Sequence, residues 1–170
     1  MTNMRQPPRA HGGYSVREAD LDVGAASIAA LWAENLAGHD LHSANTKLSL
    51  AYRDNPAGGA SVQLLMVQGE QQAQGAQGLH TRRFWLGKRP LRGAGLADFV
   101  VNVAHRSLWP ALLLMQHCTQ MGAGRFELIY GFPNPKAVTV CERGGLKRFG
   151  QIQRYATPLA SRVFLSRRMP

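Results

Sequence analysis

Between Val103 and Leu112 the chain reads Ala-His-Arg-Ser-Leu-Trp-Pro-Ala, with an apolar run on either side. Arg106-Ser107-Leu108-Trp109-Pro110-Ala111 has the make-up of a turn from a strand into a helix. Ser107 or Leu108 stands near the cap, and Pro110 sits in the first turn, where its missing N–H does no harm. Unpaired backbone amides and the positive end of a helix dipole meet at such a turn, and together they suit a phosphate. A second group follows at Asn134, Ala137, Cys141, Gly145 and Leu146, after an apolar strand that ends in Gly131-Phe132-Pro133-Asn134. Carboxylates within or beside apolar strands, Asp98 and Glu127, are the candidates for accepting a proton, and His80, His105 and His117 are candidate proton carriers. His117 falls in mid-helix and reads as a structural histidine.

The elements that must position these residues follow from periodicity. Tyr14 to Arg17 alternates as an opening strand, and Ile28, Leu31, Trp32 and Leu36 share one face of a helix that starts after Asp20 and ends near Gly38. A weaker helical pattern covers His39 to Tyr52 and runs into the turn formers Arg53 to Gly59. Ser61 to Val67 and Gln77 to Leu86 read as strands joined by a polar connection. Gly87 to Gly95 reads as a basic turn, Leu96 to Val103 as the third strand of a meander, and Ala111 to Met121 as a helix. Phe126 to Phe132 is then a strand, Lys136 to Arg143 a helix stopped by Gly144-Gly145, and Leu146 to Gly150 with Gln151 to Pro158 a closing pair of strands.

This order and these motifs resemble the GNAT superfamily of CoA-dependent N-acyltransferases over residues 14 to 158. The family's phosphate loop, Arg/Gln-x-x-Gly-x-Gly/Ala, is matched at its ends by Arg106 and Ala111, and its pattern Asn-x-x-Ala-x3-Tyr-x3-Gly-aromatic keeps its spacing through Asn134, Ala137, Cys141 and Gly145. Tyr52 to Gly58 and Tyr130 to Asn134 also resemble a bacterial subgroup linked with cell-surface polysaccharide production.

The resemblance implies an α/β fold: a mostly antiparallel sheet of six to seven strands flanked by four helices, with a splayed central strand pair. It implies that acetyl-CoA or another acyl-CoA lies in the splay. Main-chain groups near Val101 and Val103 would hold its pantetheine arm, the loop Arg106, Ser107, Leu108, Trp109, Pro110 and Ala111 would take its pyrophosphate on the backbone amides of every residue but the proline, and Asn134 would reach it from the far side. A small-molecule or peptide amine would then be acylated by direct attack, with Asp98 and Cys141 as the catalytic candidates.

Two of these positions hold unexpected residues. Trp109 stands where the family has glycine: it packs outward, stacks on the cofactor, or marks an altered site. Cys141 stands where the family has tyrosine and reads either as a small buried residue or as a proton donor. The second reading of the whole chain is therefore a noncatalytic GNAT-fold module that binds an anionic partner through its basic surface.

Composition sets the outer bounds. With 170 residues and 45% hydrophobic content, one domain is expected over 14–158, with a leader over 1–13 and a basic tail over 159–170. The net charge of +10 favours anionic partners. No zinc, helix-turn-helix or RNA-binding pattern accompanies it, so nucleic acid is not the expected partner. Two cysteines without CxxC spacing suggest neither a disulfide framework nor a metal site. No apolar run approaches the roughly 20 residues of a membrane span, and the N-terminus lacks a secretory pattern, so a cytoplasmic protein is expected, with a homodimer as the oligomeric state to test.

Overall fold

The computed structural model describes residues 12–153 and contains one mixed sheet with helices on both faces. Strand β1 (Tyr14–Glu18) leads to helix α1 (Leu21–Asn35) and helix α2 (Leu41–Leu48), which continues into a π-helical turn at Ser49–Arg53. Strands β2 (Ser61–Val67), β3 (Gly75–Leu86) and β4 (Arg89–Val101) form an antiparallel meander. A short 3-10 turn (Val103–His105), helix α3 (Leu108–Arg125), strand β5 (Leu128–Gly131) and helix α4 (Val138–Arg143) complete the described chain.

The strands lie in sequence order, all pairs antiparallel except β4 with β5, which run parallel because α3 carries the chain back across the sheet. Helix α1 starts where the Asp20 carboxylate accepts hydrogen bonds from the amides of Asp22 and Val23, and α2 starts with a capping box between Asp40 and Ser43.

Alternation along the strands supplies two cores. Val62, Leu64, Ala76 and Val100 meet Ile28, Trp32, Leu48 and Tyr52 from α1, α2 and the π-helical turn. On the other face Leu65, Leu79, Ala94 and Val101 meet Ala111, Leu114 and Cys118 of α3. The fold is GNAT-like, with five strands among the described residues where six to seven were expected. Leu146 to Gln153 forms no strand. The rest of the expected closing pair, the tail over 159–170 and most of the leader lie outside the described residues.

Two strand boundaries differ from expectation. Gly87 to Gly95 reads as a turn because it is rich in Gly, Pro and Arg, yet only Gly87 and Lys88 turn, and Arg89 already pairs with Leu86. At the other end β4 stops at Val101, so Val103 lies in the 3-10 turn and not in the strand. Helix α3 begins earlier and ends later than Ala111 to Met121.

The feature that positions the site is a break in the β3–β4 register. Gly78 faces Ala97 and Ala76 faces Val100, so Gln77 alone opposes both Asp98 and Phe99. This is a β-bulge in β4, and Asp98 takes the left-handed conformation with φ +55°, the one non-glycine residue at positive φ among those described. The bulge switches the strand's facing: Ala94 and Leu96 pack toward α3, as do Phe99 and Val101 beyond it, while Asp98 joins Val100 on the α1–α2 face.

Gly78 leaves the space beneath it to Tyr52, since a Cβ there would stand 1.7 Å from the Tyr52 hydroxyl. Gly78→Ala is therefore expected to cost about 2 kcal/mol or more by overpacking a fully enclosed ring, measured by urea unfolding. An unchanged midpoint would mean that Tyr52 does not sit over Gly78.

Candidate active site

β4 and β5 pair over only four residues, from Gly93 with Leu128 to Leu96 with Gly131. Beyond that point β4 runs on through the bulge while β5 ends and the chain turns through Pro133 and Asn134 into α4. The two strands part and leave a cleft of about 380 Å³. Leu96, Asp98 and Phe99 line one side, Phe132, Asn134 and Cys141 the other, and Leu36 and His39 approach from the end of α1.

At the cleft's edge Asp98 collects donors from three other elements. Lys47 of α2 forms an ion pair with Oδ1, the Tyr52 hydroxyl of the π-helical turn donates to Oδ2 over 2.7 Å, and His80 Nε2 of β3 lies 3.4 Å from Oδ2, close enough for an ion pair but without hydrogen-bond geometry. The π-helical turn, one residue wider than an α-turn, brings Tyr52 inward, where its ring also meets His80 edge-on at 4.4 Å. Burial alone would push the Asp98 carboxyl up, but the contacts from His80, Lys47 and Tyr52 reverse this and hold it at about 2. Burial and then the Asp98 charge raise the Tyr52 hydroxyl well above its ordinary value. Asp98 is thus a fixed anion at neutral pH, a weak proton acceptor and a strong orienting group for His80.

The cleft also holds two buried polar atoms without a protein partner among the described residues. Gln77, opposite the bulge, donates through Nε2 to the Ala97 carbonyl over 2.7 Å, while its Oε1 is buried and unpaired. His39 Nδ1 is the other. Orphaned groups of this kind are costly unless something else satisfies them.

The expected cofactor residues fall into three groups. Val101 closes β4, and Arg106 donates two hydrogen bonds of 3.2 Å to its carbonyl through Nε and one terminal nitrogen. Val103 is exposed in the 3-10 turn. Ser107 is the N-cap of α3 without a side-chain cap bond; Leu108 and Trp109 are exposed in the first turn, and Pro110 and Ala111 are buried beneath it. Trp109 has no positive φ, so nothing in the backbone there calls for glycine. Asn134 is exposed on the cleft rim, where its carboxamide oxygen accepts from the Ala137 amide in the turn that precedes α4.

Cys141 is buried against the cleft, and burial pushes its thiol up, so it stays protonated at neutral pH. Cys118 is deeper still, in the α3 core. The other candidates lie elsewhere. Glu127 is exposed and paired with Arg89, His105 bonds to Tyr14 and lies near Glu70, and His117 sits on α3 close to the Glu18–Arg125 pair. Among the described residues no cluster of three or more His, Cys, Asp or Glu could hold a metal, and no helix is long and apolar enough to cross a membrane.

Sequence reasoning named Asp98 and His80 separately and missed Lys47, Tyr52 and Gln77. One signal was available: Asp98 is the only acid between Glu70 and Glu127, in a stretch rich in arginine.

Solved structures of acetyltransferases share this fold. The chain is similar to a probable acetyltransferase (TM-score 0.66, 19% identity, 86% of this chain and 98% of the other). It is also similar to the aminoglycoside N-acetyltransferase AAC(6')-Iy, solved with a bisubstrate analogue of CoA and acetylneamine (0.62, 14%, 88% and 99%). A third likeness is to glucosamine-6-phosphate N-acetyltransferase from Arabidopsis thaliana (0.57, 13%, 84% and 97%). No family model matches the sequence, and no curated protein is detectably similar to it.

The depressed Asp98 carboxyl makes an acid-stability prediction. Its folded value lies below the ordinary 3.8, so its contribution is full above about pH 4 and fades as pH falls toward 2. Asp98→Asn, which tolerates the same φ, should cost about 2 kcal/mol at pH 7 by the size of the shift and much less at pH 2. Denaturant unfolding at the two pH values checks this; an equal difference at both would remove the ionised cluster from the account.

Proposed function

We propose that the protein is a CoA-dependent acyltransferase that moves an acetyl or other acyl group from acyl-CoA to an amine. The observation that carries the reading is the cleft at the β4–β5 splay, lined by Asp98 with His80 beside it, and with the buried, unpaired Gln77 Oε1 and His39 Nδ1 on residues of its wall. These orphaned groups fit a ligand rich in amide donors and acceptors, as a pantetheine arm is. The N-terminus of α3, over Ser107 to Ala111, would face the pyrophosphate, with Asn134 on the opposite rim. Acyl-CoA supplies the activated carbonyl.

In this reading the amine attacks that carbonyl, the C–N bond forms and the C–S bond breaks. His80 takes the proton released by the amine, because Asp98 is held too acidic to do so and serves to orient the imidazole and steady its charge. Cys141, kept protonated by burial, donates a hydrogen bond to the departing sulfur and does not form an acyl-cysteine. The likeness of Tyr52 to Gly58 and Tyr130 to Asn134 to the polysaccharide-linked subgroup makes amino sugars the first acceptors to try, and a cytoplasmic location belongs to the same proposal.

A second reading, a noncatalytic binding module, is favoured by one observation: Arg106 already engages the Val101 carbonyl that the pantetheine arm would approach. Calorimetry with acetyl-CoA separates the two, since the enzyme reading expects saturable binding and the module reading none at millimolar ligand. Given turnover, His80→Gln should lower kcat roughly 100-fold or more with the KM for acetyl-CoA little changed. A His80→Gln variant with an unchanged kcat would reassign the base.

A further inference from the structure

The β3–β4 hairpin overhangs the sheet. β3 pairs with β2 only over Gly75–Leu79, and β4 with β5 only over Gly93–Leu96, so as strands Phe84 to Leu91 pair with nothing but each other. The projecting end closes through Gly87 and Lys88, with Gly87 at φ +61° in the first turn position, which a two-residue hairpin of the II′ kind requires.

At this tip stand two adjacent large apolar side chains, Trp85 at 69% and Leu86 at 68% exposure. Around them are Arg82, Arg83, Lys88, Arg89 and Arg92, and no acid occurs between Glu70 and Asp98. Glu127 is the acid that reaches the hairpin, bonded to the Arg89 side chain and the Arg92 amide. Arg83 and Lys88 make no ion pair among the described residues.

We propose that this tip docks on an anionic lipid surface. The basic ring is complementary to acidic headgroups, and tryptophan is suited to the boundary between headgroup and acyl chain. The direction of the side chains selects lipid over other anions. Trp85 faces with Pro90 and Arg83, while Leu86 faces with Arg89 and Phe84, so the two apolar groups stand on opposite faces of the ribbon. A nucleic-acid backbone or a groove on a protein covers one face of such a ribbon; a bilayer interface surrounds both. The projection beyond β2 and β5 lets the tip reach a plane before the body of the sheet does.

The test is cosedimentation of the full chain with sucrose-loaded vesicles of phosphatidylcholine alone and of phosphatidylcholine with phosphatidylglycerol. Binding is expected to the mixed vesicles only and to weaken with salt. Arg83→Ser and Lys88→Ser should each weaken it about fivefold, and the double variant Trp85→Ser/Leu86→Ser should weaken it at least about tenfold, with its thermal midpoint unchanged. Quenching of tryptophan emission by brominated lipid should be present in the wild type and lost in Trp85→Phe. Equal binding to neutral vesicles would overturn the proposal. So would full binding by the double variant, which would assign the attraction to the basic residues elsewhere in the chain, or hairpin-dependent binding to RNA or duplex DNA with vesicles ignored.

Discussion

The Asp98 carboxylate, buried at a bulge and held by Lys47, Tyr52 and His80, is the constraint on which the rest of the site depends. A charge taken out of water must be compensated, and here the compensation comes from α2, the π-helical turn and β3 at once. The cluster thereby ties the helical layer to the sheet at the point where β4 leaves β5. Without the bulge, alternation would turn residue 98 toward α3 and away from these donors.

The same constraint explains several small residues. Gly78 gives way to Tyr52, while Gly93 and Gly95 lie close under Phe84 and Tyr130, whose rings meet edge-on at 5.5 Å. Tyr130 in turn meets Phe132 on the cleft rim. Glycine on β4 thus leaves room for aromatic side chains from both neighbouring strands, which meet edge-on above it.

Much of the architecture was legible in the sequence because it depends on periodicity. Ser61 to Val67 forms the strand expected of its apolar run, and Asp20 and Gly38 bracket the first helix well. The hairpin was not legible, since Gly, Pro and Arg between Gly87 and Gly95 favour a turn locally and pairing with β3 overrides that preference. The bulge was hidden for a different reason. Asp98 keeps step with Val100, and only comparison with Ala94 and Leu96 across the break reveals the shift. Lys47, Tyr52, His80 and Asp98 come together from distant parts of the chain, and no local spacing signals such a meeting. Trp109, an apparent obstacle by motif, has an ordinary helical backbone.

The parallel seating of β5 bears on how the chain reaches this shape. β1 through β4 pair with neighbours near in sequence apart from the α1–α2 excursion, whereas β5 reaches its four-residue ladder across the whole of α3, with Gly122 close against Ile129. Contacts that close such a crossover pay loop entropy before they return anything. The strand whose departure from β4 opens the cleft is therefore held by a four-residue ladder and by α3 packed against it, so the cleft is braced from a layer away from the residues that line it.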